Sequence, residues 1–77
     1  MNASFEEAFG RNLRELRRRA GLTQEEVTAR LQVLGCDVTR SALAKMEVGQ
    51  RHVYPDEIRF LKDVLKTTYD ELFLEKR

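Results

Sequence analysis

The residues best placed to do chemistry on a partner lie in one short stretch of this 77-residue chain, Arg40-Ser41-Ala42-Leu43-Ala44-Lys45-Met46-Glu47. On a helix, Leu43 and Met46 are three apart and share an inward face, which leaves Arg40, Ser41, Ala44 and Lys45 on the other. Arg40 and Lys45 can each donate to guanine O6 and N7, and Ser41 can donate or accept at any base. Ala44 is small enough to meet a thymine methyl or to let the helix sit deep. The same groups also suit phosphate oxygens, which position a protein without selecting sequence. A short helix with small and basic side chains outward, braced by a second helix, has the shape that enters a major groove.

The elements that must hold this helix are announced by their own start signals. Thr39 is placed to cap it, with Val38 and Leu43 as the flanking apolar staple. The bracing helix runs from Gln24 to about Leu34. Thr23 and Glu26 form its capping box, Leu22 and Val27 its staple, and Val27, Leu31 and Leu34 its buried side. Gln24 stands at its first position, beside unsatisfied backbone N–H groups and the positive end of the helix dipole. It is either a phosphate clamp or a solvent-facing glutamine. Before these comes a helix from Ser4 to about Ala20, opened by Ser4 and Glu7, with Phe5, Phe9, Leu13, Leu16 and Ala20 on a core-facing stripe. Arg11, Arg14 and Arg18 line another face, either as a solvated surface helped by Glu7 and Glu15 or as phosphate contacts. Gly21 and Gly49 end the first and third helices. A fourth helix starts at Pro55 with Glu57 in its first turn and turns Ile58, Leu61 and Leu65 inward, with Phe60 and Val64 flanking. A fifth starts at the Thr68/Glu71 pair and turns Tyr69, Leu72 and Phe73 inward. Leu74 falls off that stripe and is a place to look for a dimer contact.

The segments Leu13–Val27 (LRELRRRAGLTQEEV), Arg40–Arg51 (RSALAKMEVGQR) and Tyr69–Phe73 (YDELF), within Gly10 to Phe73, resemble the lambda-repressor-like or XRE family of helix-turn-helix regulators. The resemblance implies an all-α, compact five-helix DNA-binding domain with a central helix-turn-helix. It places Arg40, Ser41, Ala44 and Lys45 where the family often faces base edges. It pairs Arg17 with Glu47, the acid near the end of the reading helix, and brings Arg17 close to a phosphate. Gln24, Arg51 and, more weakly, His52 fall where the family meets the DNA backbone. Two departures stand out. Val48 replaces a residue that is often polar. The connection Gln32-Val33-Leu34-Gly35-Cys36-Asp37 is longer than a tight turn of about three or four residues, similar to a subgroup with a longer connection between helices two and three.

Composition bounds the rest. Seventy-seven residues make a single domain, with a core expected over residues 5–75. Hydrophobic residues at 42% and charged residues at 35% are those of a folding chain. No apolar run reaches membrane-span length and MNASFEEAFG lacks the pattern of a signal segment, so a cytoplasmic protein is expected. One Cys and one His offer no metal-ligand spacing, and neither a metal nor a cofactor is expected. The net charge is only +1, yet Gly10 to His52 carries nine Lys/Arg against five Asp/Glu. The positive charge therefore lies in the segment that would face DNA. The family reading implies a sequence-specific transcriptional repressor binding double-stranded DNA as a homodimer. The alternatives are an antitoxin that also caps a toxin partner, or a protein-interaction module on the same fold. An enzyme is the poorest fit, because capping already explains the acidic residues.

Overall fold

The computed structural model describes residues 3–75, with side chains from residue 5 onward. Among these residues the protein is all-α, with five helices and no strand. They are α1 (Ala3–Arg19), α2 (Gln24–Val33), α3 (Arg40–Glu47), α4 (Pro55–Leu65) and α5 (Tyr69–Leu72). This is the five-helix architecture that the resemblance implies.

Hydroxyls set three of the starts, because the first turn of a helix leaves backbone N–H groups without partners. Thr23 Oγ1 accepts from the Glu26 N–H at 3.1 Å, while Glu26 Oε1 accepts from the Thr23 N–H at 3.0 Å, a complete capping box. Those bonds hold the exposed Glu26 carboxyl below its ordinary range. Thr39 Oγ1 accepts from the Ala42 N–H. Thr68 Oγ1 accepts from the Glu71 N–H, but the expected reciprocal bond is not made. The Glu71 carboxylate turns instead to Arg19 and Thr67, both at 3.0 Å. The expected Ser4–Glu7 box falls on a side chain outside the described set, and the backbone already has Ser4 inside α1.

Four helices end in one motif, in which an N–H two or three residues past the helix reaches back to a carbonyl in its last turn. The bonds run from Leu22 to Arg17, Cys36 to Leu31, Gln50 to Lys45 and Thr67 to Lys62, at 2.9–3.1 Å. Glycine occupies the left-handed position in the first three; Lys66 takes it after α4, at φ 52°. At Gly49, φ is 75° and an added Cβ would lie 2.8 Å from Glu7 Cγ, so the position excludes a side chain twice over.

The core unites every helix: Phe9, Leu13 and Leu16 of α1, Val27 and Leu31 of α2, Leu43 and Met46 of α3, Leu61, Val64 and Leu65 of α4, and Leu72 of α5. The long α2–α3 connection belongs to it as well, because Cys36 and Val38 are buried. Burial pushes the Cys36 thiol up, and the residue acts as a small hydrophobe. Gly10 lets α1 lie directly on the end of α3: an added Cβ would meet the carbonyl oxygens of Met46 and Glu47, the latter at 2.7 Å. Two backbones in contact leave no room for a methyl group.

Several residues assigned inward lie outside. Phe5 is 59% exposed because the first turn of α1 overhangs the core, and Ala20 is exposed past the end of the helix. Leu34 is exposed at the α2 terminus, while Cys36 and Val38 of the connection that follows are buried. Helix α5 has four residues, so Leu72 alone reaches the core while Tyr69 and Phe73 remain largely exposed. Phe73 still leans on Phe9, ring centroids 5.1 Å apart. Val64, expected at the flank, is buried, and Ile58 is only half-buried.

Candidate nucleic-acid interface

The site is assembled around one carboxylate. Glu47, the last residue of α3, is only 4% exposed, and a carboxylate at that depth is tolerated only when its oxygens are answered. Arg17 answers both: Nε donates to Oε2 at 2.6 Å and Nη2 to Oε1 at 3.0 Å, the side-on geometry of a strong charge-assisted pair. Gln24 Nε2 adds a third bond to Oε1 at 3.0 Å. Arg17 Nη1 also donates to the Leu22 carbonyl at 2.9 Å, beyond the end of α1. The bond to Glu47 raises the Arg17 pKa, against the lowering effect of burial. One hydrogen-bond set thus fastens α1, α2 and the turn between them to the end of α3. Arg17 and Glu47 are the two residues that the family resemblance pairs.

Above this set lies a concave surface of about 810 Å³ between α1, α2 and α3. Its walls carry four arginines, Arg14, Arg17, Arg18 and Arg40, and two carboxylates, Glu25 and Glu47. Both acids are already engaged, Glu47 with Arg17 and Glu25 with Arg40. Among the described residues no carboxylate pairs with Arg14 or Arg18. The concavity therefore holds uncompensated positive charge, which is what a phosphate chain requires.

The sequence-derived residues divide between two places. Arg17, Gln24, Arg40 and Ala44 meet in the concavity, with Val48 one turn beyond Ala44. Ser41 and Lys45 are exposed on the adjoining face of α3, one residue around the helix from Arg40 and Ala44. Arg51 and His52 are elsewhere. They line a second, mainly apolar groove of about 530 Å³ with Phe5, Phe9, Val53, Ile58 and Phe73, and none of its lining residues belongs to α2 or α3. Arg51 is held end-on by Glu57, with Nη1 and Nη2 donating at 2.9 and 3.1 Å. Burial alone would push the Glu57 carboxyl up, but the bonds from Arg51 and from the Tyr54 N–H at 3.0 Å hold it below its ordinary range. His52 Nδ1 stands 2.8 Å from Glu6 Oε1.

Sequence reasoning missed Glu25 as a wall of the concavity and Asn12 as a buried anchor. Asn12 Nδ2 donates to the carbonyls of Leu72 at 3.0 Å and Leu74 at 2.6 Å, fixing the end of α5. The signal for Asn12 was its place one residue before Leu13 within the α1 stripe. For Glu25 it was the first turn of α2, where capping offered a sufficient explanation.

A family model for the helix-turn-helix domain matches residues 8–73. The chain belongs to that family. The match spans α2, the connection and α3, and it agrees with the lambda-repressor-like domain that the sequence resembles. A helix-turn-helix domain points to a DNA-binding regulator in general terms. No curated protein matches the chain significantly. Among the described residues, no helix is long and apolar enough to cross a membrane, and no three His, Cys, Asp or Glu side chains are grouped to hold a metal ion.

Proposed function

We propose that the protein is a cytoplasmic, sequence-specific transcriptional repressor of the XRE type that reads the major groove of double-stranded DNA with α3. The observation that carries this reading is the concavity beside the outward face of the helix-turn-helix's second helix, where Arg14 and Arg18 pair with no carboxylate among the described residues. In this reading Arg40, Ser41, Ala44 and Lys45 meet base edges. Arg14, Arg18 and Gln24 meet phosphates, while Arg17, already answered by Glu47, serves by fixing α1 to the end of α3. Arg51 and His52 contribute less to DNA than the resemblance implies, because carboxylates already face both.

One such module makes few base contacts, so the protein acts as a homodimer on half-sites about one helical turn apart. The apolar surface of Phe5, Phe73 and Leu74, outside the concavity, supports a protein contact. The same surface is what favours the second reading, an antitoxin that holds a toxin there while α3 binds DNA. No catalytic chemistry is assigned to either role.

The test is fluorescence anisotropy on duplexes enriched by the protein from a random-sequence pool and on DNA from upstream of its own gene, across a salt series. The expected result is selective binding that weakens steeply with salt, with Arg40→Ala and Lys45→Ala each losing about 1–3 kcal/mol of discrimination. Binding that neither variant changes overturns α3 as the reader.

A further inference from the structure

An acid on a surface that meets phosphates is a cost unless it performs a task, since it adds like charge to the interface. Glu25 is such an acid. It stands at the second position of α2, lines the concavity and is 74% exposed, so no demand of the core retains it there. It is also separate from the Thr23–Glu26 capping box, which is complete without it. Its one described partner is Arg40, whose Nη1 donates to Glu25 Oε1 at 3.3 Å across the gap between α2 and α3.

We infer that Glu25 is a positioning residue for base recognition: it holds the Arg40 guanidinium over the groove and away from phosphates, and thereby sets selectivity for the base that Arg40 meets. The inference rests on the DNA-binding reading above. Arg40 is at the first position of α3, with a long side chain that is 65% exposed and has several rotatable bonds. Left alone, such a side chain can swing to the nearest phosphate on any sequence, because phosphate contacts carry no sequence information. A guanidinium has five N–H groups, and a carboxylate that takes one edge leaves the others for a guanine. At a site without guanine, Arg40 is still held by Glu25 and makes no compensating phosphate contact. The wrong sequence is therefore disfavoured by what the pair withholds, a selectivity achieved against the competitor rather than for the target. As an isolated exposed pair it adds little to folding, so its effect is separable from stability.

The experiment compares wild type, Glu25→Gln, Arg40→Ala and the double variant. Each is titrated against a duplex enriched from a random pool by the wild type, all its single-base substitutions, and a scrambled duplex. Glu25→Gln removes the charge, keeps the shape and should melt with the wild type. The expected result for Glu25→Gln is tighter binding to the scrambled duplex, a salt slope steeper by up to about one unit, and roughly a three- to tenfold loss of discrimination at one base pair. That base pair should be the one at which Arg40→Ala loses its discrimination, and the Glu25 effect should vanish in the Arg40→Ala background. If Glu25→Gln leaves discrimination unchanged while Arg40→Ala removes it, the positioning role is overturned and the DNA reading stands. If Glu25→Gln acts equally with and without Arg40, Glu25 meets a base directly and the inference is again overturned. If the wild type selects no sequence, the DNA reading fails and the inference falls with it.

Discussion

The concavity of α1–α3 and the groove formed by the start of α1, the start of α4 and the end of α5 use similar residues to opposite ends. Both have basic and acidic side chains in their walls. In the groove Arg51 is matched by Glu57 and His52 by Glu6, and the space they enclose is apolar, with Phe5, Phe9 and Phe73 at its edge. In the concavity the acids are fewer than the arginines, and among the described residues no carboxylate pairs with Arg14 or Arg18. The count alone, four arginines against Arg51 and His52, understates the difference. What distinguishes them is whether each cation is already answered within the fold, and only an unanswered cation exchanges its counterions for phosphates.

The sharpest way to break the contrast is at Glu47. Glu47→Ala strands Arg17, which is itself largely buried, and should destabilise the protein by about 3–5 kcal/mol in urea denaturation. The loss of Gln24's partner adds to it. Next comes Gly10→Ala, where the new methyl group meets α3 backbone that cannot step aside. A loss of about 2–3 kcal/mol is expected, measured in the same way. A smaller effect, on binding rather than folding, is expected from removing both Arg14 and Arg18. The slope of log affinity against log salt should fall by about two units with base discrimination intact, whereas Arg51→Ala should leave the slope unchanged. If Arg51→Ala instead flattens the slope, the groove also meets DNA and the contrast fails.

The Arg51–Glu57 pair should be worth less than Arg17–Glu47, because it is nearer water. Glu57→Gln should cost about 1 kcal/mol at neutral pH. The Glu57 carboxyl lies below its ordinary value in the folded state, so its contribution is present above the ordinary carboxylate range. It is lost as pH falls through the lower, folded value. Denaturation curves of wild type and variant should therefore converge on acidification. The smallest change is at Lys66, a non-glycine residue in the left-handed conformation. Lys66→Gly should raise stability by about 0.5–1 kcal/mol and shift the melting temperature upward by a few degrees.

Much of this fold was legible because it is written in local chemistry. Thr23, Thr39, Pro55, Gly21 and Gly49 mark helix ends by hydrogen bonding and backbone freedom within a few residues, and no tertiary knowledge is needed to read them. Periodicity says which side of a helix is apolar but not where its neighbours stop. That is why Phe5, Leu34, Tyr69 and Phe73 were assigned to the core and lie outside it. The same limit applies to the site. The outward set on α3 follows from the positions of Leu43 and Met46, but the engagement of Arg51 by Glu57 and of Arg40 by Glu25 depends on side chains meeting across elements. Gly10 gave no local signal at all; its role exists only where two helices touch.

The division of labour within α3 has a consequence for how such a protein diversifies. Thr39, Ala42, Leu43, Met46 and Glu47 carry the cap, the core packing and the buried ion pair of the helix. Ser41 and Lys45 are exposed and carry none of those duties, and Arg40 carries only its exposed pair with Glu25. Exchanges there alter recognition at little cost in folding. A duplicated gene can thus acquire a new target by a handful of codon changes while inheriting its scaffold unaltered, and an engineer can graft an outward face from another regulator by the same route.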